Sequence, residues 1–147
     1  MKMSRATAGL GAVLAVAGSL FAGVPAASAA GTGTACPTDR FCLYFNSDFG
    51  GARADYAYSD AGLGNELFTD GPQGRSGWGV QVNNNAASAI NHTGKNVAVY
   101  YNNDCSGTGF IIYPGERWNL ASFGMKNQVS SLQVAGSACI YRDQSWA

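Results

Sequence analysis

The sequence LYFNSDFGG at residues 43–51 returns in altered form as VYYNNDCSG at residues 99–107. In each copy an apolar and aromatic run leads into polar turn residues and glycine, and another strand-like run follows. The spacing of Tyr44, Phe49 and Gly51 describes a hairpin that folds back over its own strand. The two rings pack together, and the glycine supplies a backbone angle that other residues resist. The repeat therefore predicts two supersecondary units of the same kind.

A second, weaker repeat aligns NNAASAI at residues 84–90 with KNQVSSL at residues 126–132. No long helical periodicity is present, and Gly, Asn, Asp and Ser separate short runs of β-branched and aromatic residues. We expect strands in these runs: 41–45, 54–58, 87–91, 97–101, 110–113, 129–134 and 138–141. Many short strands with frequent turns predict an all-β sandwich or small barrel. Residues 59–79, rich in glycine, predict a long connection with at most one short strand near Leu67–Phe68.

Alternation within the first predicted strand places Phe41 and Leu43 on one face, and Cys42 and Tyr44 on the other. The same split recurs in the second unit, where Val97 and Val99 alternate with Ala98 and Tyr100.

The N-terminal residues have the three parts of a secretory signal peptide. Lys2 and Arg5 precede an uncharged apolar run from Gly9 to Val24, and Ala27-Ser28-Ala29 offers a small-residue cleavage pattern. The run is poor in strongly apolar residues and falls short of the ~20 that a membrane-spanning helix needs. We therefore expect a signal peptide at 1–29, a short disordered leader at 30–35 and one secreted, extracellular domain at 36–147.

Charge and cysteine content narrow the functional classes. Removal of the predicted signal peptide lowers Lys plus Arg from 9 to 7 and leaves Asp plus Glu at 9, for a net charge of −2. This balance argues against nucleic-acid and anionic-membrane partners, which require a basic surface. Four cysteines in an exported chain predict two disulfides. No pair has the C-x-x-C spacing of a zinc site.

The repeated motifs resemble the Greek-key unit of the βγ-crystallins. The first copy joins the Tyr44 hairpin to Asn84-Asn85-x-x-Ser88, and the second joins the Tyr100 hairpin to Ser130-Ser131. The resemblance implies a βγ-crystallin-like double Greek-key sandwich of two four-strand motifs with two disulfides. Repeat one would span about 40–91 and repeat two about 96–142.

The opening CPTDRFCLY at residues 36–44 resembles the small secreted bacterial inhibitors of thermolysin-type metalloproteases, which share this fold and carry two disulfides. The resemblance implies a metalloprotease inhibitor whose partner is an extracellular metalloprotease. No cofactor would be required, because the zinc belongs to the protease. We expect a monomer.

In that family the contacted bond follows the cysteine of the second hairpin, which here is Cys105. The resemblance therefore implies a rigid, extended contact loop centred on the Cys105–Ser106 bond and formed by Asn102, Asn103, Asp104, Cys105, Ser106 and Gly107. Cys105 stands where the first hairpin has Phe49, so a disulfide begins inside this loop. Ser106 departs from the large apolar residue that thermolysin-like enzymes favour after the contacted bond.

The disulfide pairing is expected to be Cys36–Cys42 and Cys105–Cys139. The short N-terminal spacing suits a local bridge. The remaining pair then ties the second hairpin to the end of the domain.

The calcium-binding pattern of the βγ-crystallins is degenerate here. Its oxygen-bearing candidates are Asn84, Asn85, Ser88, Asn127 and Ser130. Neither copy has a carboxylate, which calcium favours, and Lys126 places a cation where a ligand would be expected. The sequence thus predicts weak calcium binding or none.

Catalysis and sugar binding are the other classes to weigh. His92 is the single histidine, no catalytic motif is present, and carboxylates such as Asp55 and Glu66 belong to no recognisable site. The chain is therefore not expected to be an enzyme. Three tryptophans could instead stack on sugar rings in a cell-wall polysaccharide module, namely Trp78, Trp118 and Trp146, of which Trp78 is expected to be the most exposed. A non-inhibitory calcium-binding module and a crystallin-like toxin or stress protein are further alternatives.

Overall fold

The computed structural model describes residues 35–142. The predicted signal peptide, most of the predicted leader and Trp146 lie outside the described residues. Within them, strands and a 3-10 helix follow in the order β1 (Phe41–Tyr44), β2 (Arg53–Tyr56), β3 (Ser88–Asn91), β4 (Val97–Asn102), β5 (Ser106–Ile112), β6 (Arg117–Asn119), the helix (Leu120–Phe123) and β7 (Ser131–Val134). No helix among the described residues is long and apolar enough to cross a membrane.

The strands form two antiparallel sheets with the orders β2-β1-β3-β6 and β5-β4-β7. β6 belongs to repeat two but pairs with β3 of repeat one. In return, Asp60 of repeat one bridges Leu132 of β7 through hydrogen bonds of 2.9 and 3.0 Å. The third element of each repeat, Asp60 in repeat one and β6 in repeat two, thus pairs with the sheet of the other repeat. This exchange is the crossover of a double Greek key. The predicted all-β fold is confirmed, although the third element of repeat one is a single bridge.

Three features of the strand prediction are wrong. Residues 138–141 form no strand, because Cys139 is held by a disulfide and the segment makes isolated hydrogen bonds. β5 begins at Ser106 rather than at Phe110, since Gly107 and Gly109 obscure its pattern. β6 was missed because three residues are too few to show alternation.

The alternation predicted for β1 is confirmed, and both of its faces are buried. Phe41 and Leu43 lie in the main core between the sheets. Cys42 and Tyr44 lie in a smaller cluster on the outer face of the four-stranded sheet, together with Ile90. β1 therefore anchors two apolar layers.

Residues 35–40 cover that outer face. The Cys36–Cys42 disulfide ties them to β1, and the Arg53 guanidinium donates to the carbonyl of Ala35 at 2.5 Å. Arg53 also binds the Asp55 carboxylate at 2.5 and 2.9 Å. The guanidinium and the carboxylate, which are both largely buried, thus neutralise each other.

The two disulfides differ in the length of chain that they close. Cys36–Cys42 spans 6 residues and Cys105–Cys139 spans 34, and these are the pairs expected from the sequence. Chain entropy assigns about 2 kcal/mol to the first and about 4 kcal/mol to the second.

We therefore predict that replacing Cys105 and Cys139 by serine lowers the free energy of unfolding more than the same change at Cys36 and Cys42. Urea unfolding of both double variants measures the difference, and peptide mapping of the unreduced protein checks the pairing. A larger loss on removing Cys36–Cys42 would show that covering the outer face outweighs loop entropy.

Candidate functional site

The two hairpins between β1 and β2 and between β4 and β5 share one backbone. Asp48 and Asp104 have φ of 57° and 58°. Phe49 and Cys105 have φ of 59° and 50°, and a glycine with positive φ follows two residues later in each. Non-glycine residues seldom occupy this left-handed region, so the conformation has to be held by surrounding contacts.

A buried serine holds each hairpin. The Ser88 hydroxyl donates to the carbonyl of Asn46 at 2.6 Å and accepts from the amide of Phe49 at 3.0 Å. The Ser131 hydroxyl donates to the carbonyl of Asn102 at 2.5 Å and accepts from the amide of Cys105 at 3.0 Å. Both serines are fully buried. Each hydroxyl therefore closes its hairpin against the adjacent strand of the sheet.

The equivalence of the serines corrects the alignment of the second repeat. Ser88 pairs with Tyr44 across the sheet, and Ser131 pairs with Tyr100 in the same way. The structural counterpart of Ser88 is therefore Ser131, and the sequence alignment that matched Ser88 with Ser130 is wrong by one residue.

Exposure distinguishes the two hairpins. In residues 102–107 five of six residues are exposed and only Cys105 is half-buried, whereas in residues 46–51 only two of six are exposed. Arg117 lies over the ring of Phe49 at 4.4 Å, and the Asn119 side chain exchanges two 2.7 Å hydrogen bonds with Asp48. The first hairpin is thus covered by β6, while the second is presented to solvent.

Three further contacts anchor the second hairpin. Cys105 is bonded to Cys139, and the amide of Asp104 donates to the carbonyl of Ala61 at 2.7 Å. The pKa of the exposed Tyr141 hydroxyl is raised, chiefly by hydrogen bonding with the nearby Asp104 carboxylate. The loop is therefore fastened to repeat one and to the C-terminal segment as well as to its own sheet.

The C-terminal segment that carries Cys139 is itself fastened to repeat one. The carbonyl of Ile140 accepts from the amide of Ala61 at 3.0 Å. Arg142 donates to the carbonyl of Ser59 at 2.8 Å, and its own carbonyl accepts from the side chain of Asn65 at 2.7 Å. Sequence reasoning identified Cys139 but missed this support, because isolated contacts between distant segments leave no periodic signal.

The hairpin is not extended, contrary to expectation. Asp104 and Cys105 both have positive φ, so the chain turns sharply just before the Cys105–Ser106 bond, and β5 begins at Ser106. The Ser106 hydroxyl donates to the carbonyl of Asn103 at 2.7 Å and closes the turn. The tip of the second hairpin is therefore a compact turn rather than a straight strand.

Four of the five candidate residues of the degenerate calcium motif use their side chains in hydrogen bonds within the protein. The Ser130 hydroxyl donates to the side-chain oxygen of Asn84 at 3.1 Å, which joins the two repeats directly. The side chain of Asn85 donates to the carbonyls of Gln81 and Asn83. The Ser88 hydroxyl already serves the first hairpin, and Asn127 is exposed beside Lys126. Among residues 35–142 no group of three His, Cys, Asp or Glu side chains is placed to hold a metal ion.

The candidate residues for catalysis and sugar binding are each in contact with other groups of the fold or buried in it. His92 is exposed, with Nδ1 3.1 Å from the carbonyl of Cys36. Glu66 is buried and Asp55 is bound by arginine. Trp118 stacks on Phe123 with ring centroids 3.6 Å apart, which occupies one of its faces.

Trp78 was expected to be exposed, but its side chain is not fully exposed. It is half-buried and packs against the main core. Neither described tryptophan thus forms a free platform for a sugar ring.

Comparison with known proteins gives a family and a fold. The model of peptidase inhibitor family I36 matches residues 29–112, more than half of the chain, including the second hairpin. No curated protein matches the sequence.

Two solved structures illustrate the fold. One, from work on the evolution of the eye-lens beta-gamma-crystallin domain fold, has a TM-score of 0.56 at 14% identity and covers 69% of this chain and 90% of its own. A beta gamma crystallin from Ciona intestinalis has a TM-score of 0.50 at 21% identity, covering 65% of this chain and 98% of its own. At such low identity these likenesses establish the fold alone.

We predict that millimolar calcium, compared with chelator, leaves the melting temperature unchanged. The side-chain oxygens of Asn84, Ser88 and Ser130 are hydrogen-bonded to protein groups, and Lys126 stands where a ligand would be expected. Calcium bound at about a hundred times its dissociation constant would stabilise the fold by ~2.7 kcal/mol and raise the melting temperature by several degrees. Such a rise would contradict this interpretation, and Lys126→Ala provides a variant in which to look for recovered affinity.

Proposed function

Since the chain belongs to peptidase inhibitor family I36, we propose that it inhibits an extracellular metallopeptidase of the thermolysin type and contacts it with residues 102–107. The observation that carries this proposal is the difference between the two hairpins. They have the same backbone and the same serine tie, but only the second is exposed and anchored by a disulfide.

Anchoring favours inhibition for an energetic reason. A loop that already holds its bound shape loses little conformational entropy on docking. The second hairpin is held by Ser131, by Ala61 and by the bond to Cys139. These contacts surround the tip and leave the side chain of Ser106 exposed to a partner.

The same geometry supports slow cleavage of the loop by the peptidase. The left-handed backbone at Asp104 and Cys105 differs from the extended conformation that a straight substrate strand would have. Cleavage after Cys105 would also leave both fragments joined, because Cys139 lies on the C-terminal side of the break. The zinc at the contact belongs to the peptidase, and the inhibitor supplies shape and main-chain groups.

Residue 106 tests the proposed contact. Ser106→Val should tighten inhibition of thermolysin by roughly tenfold or more, because a filled apolar pocket contributes on the order of 1–3 kcal/mol. Ser106→Asp should weaken inhibition. Ser106→Ala measures the loss of the hydroxyl bond to Asn103 without an apolar gain. Inhibition constants and melting temperatures of all variants give the comparison.

The first hairpin provides a matched control. Gly50 occupies the position of Ser106 there, has a φ that other residues tolerate, and has room for a Cβ, with its nearest neighbours at 3.5 and 3.7 Å. Gly50→Val should therefore leave inhibition unchanged. Equal constants for all the Ser106 variants would remove this loop from the contact.

A further inference from the structure

β5 forms one edge of the three-stranded sheet. The carbonyl of Tyr100 accepts from the amide of Ser130 at 2.9 Å, so the peptide groups of Tyr100 point toward β7. Peptide groups alternate in direction along a strand. The peptide groups of the residues next to Tyr100 therefore point toward β5. Those of Phe110, which pairs with Val99, point back toward β4. The amides and carbonyls of Gly109 and Ile111 accordingly point away from the sheet.

The corresponding edge in repeat one is covered by the chain itself. Arg53 and Asp55 of β2 occupy the positions of Gly109 and Ile111. The carbonyl of Arg53 accepts from the amide of Asp70 at 3.0 Å, and the amide of Asp55 donates to the Asp70 carboxylate at 2.7 Å. The long connection between β2 and β3 thus occupies the outward peptide groups of β2, so that no further strand can pair there.

Repeat two lacks such a cover. Only residues 113–116 connect β5 to β6, too few to fold back along the strand. Glu116 closes the end of the edge, since its carboxylate accepts from the amide of Tyr113 at 2.8 Å. Within residues 35–142 no protein group meets the outward peptide groups of Gly109 and Ile111.

β5 also lacks the features that usually protect an edge strand. Its sequence SGTGFII contains no charged residue and no proline, although lysine, proline and inward charges are the common safeguards. Ile111 is 47% exposed. The strand begins at Ser106 and so continues directly from the proposed contact loop.

From this uncapped edge we infer that β5 is a second contact with the target peptidase, and that an extended segment of the peptidase pairs with Gly109 and Ile111. This inference rests on the proposed function. Main-chain pairing of this kind supplies affinity with little dependence on the partner's sequence. The Tyr100 ring packs over the sheet face at Gly109, and Ile111 offers an apolar side chain to the added strand.

Ile111→Pro tests the pairing. Proline removes the outward amide and no hydrogen bond within the sheet, and edge strands tolerate it. Ile111→Ala is the matched reference, because it also removes the apolar side chain but keeps the amide. Inhibition of thermolysin should be about three- to tenfold weaker for Ile111→Pro than for Ile111→Ala. Equal inhibition constants for two folded variants would overturn the inference.

Amide hydrogen exchange, read residue by residue by NMR with and without thermolysin, gives a second measurement that does not require a variant. The amides of Gly109 and Ile111 should exchange more slowly in the complex, whereas that of Asp55, already bonded, should not change. Protection at Cys105 and Ser106 alone would overturn the edge contact and leave the proposed function standing.

The other outcomes also decide the question. Protection of Gly109 and Ile111 in the isolated protein at high concentration, with dimers in sedimentation, would assign the edge to a second copy of the chain and overturn the inference. Failure of thermolysin to form any complex would contradict the proposed function and this inference together.

Discussion

The hydroxyl group of a buried serine closes the hairpin in each repeat, and the rest of the structure depends on that bond. Ser88 and Ser131 each accept from the amide of a residue in the left-handed region. Residues held there cost on the order of 1–3 kcal/mol each, and an unsatisfied buried amide costs a similar amount. The hydrogen bond to the serine hydroxyl offsets both the cost of the left-handed backbone and the cost of an unsatisfied amide. It also explains why two sequences with few identical residues adopt one backbone.

The repeats differ in what surrounds this shared element. In repeat one, residues 35–40 cover the outer sheet face, Asp70 caps the edge of β2, and β6 covers the hairpin. In repeat two the disulfide to Cys139 replaces aromatic packing under the hairpin, and the edge of β5 is left uncovered. The duplicated fold thus has one covered half and one half whose hairpin and sheet edge are exposed. We propose that the peptidase contacts the exposed half.

Much of the fold could be predicted from the sequence, because local rules specify it. The spacing of Tyr44, Phe49 and Gly51 describes the hairpin, and the edge-on packing of the two rings at 6.2 Å is its direct consequence. The alternation in β1 likewise follows from strand geometry.

The contacts of the candidate site could not be predicted in the same way. The bond from the Asp104 amide to the carbonyl of Ala61 joins segments far apart in sequence. The left-handed angle at Cys105 has no marker such as glycine. The one-residue error at Ser130 and Ser131 arose because adjacent serines look alike in a sequence, and only strand pairing distinguishes them.

The central claim is that the two hairpins share a structure but only the second contacts the peptidase. Ser88→Ala and Ser131→Ala remove the same hydroxyl from equivalent places, so both should lower the free energy of unfolding by a similar amount, about 1–3 kcal/mol. The measurement is the inhibition constant of each variant against thermolysin, at a temperature where both remain folded. The account predicts weaker inhibition for Ser131→Ala and unchanged inhibition for Ser88→Ala. Equal losses in the two variants, or a loss confined to Ser88→Ala, would contradict it.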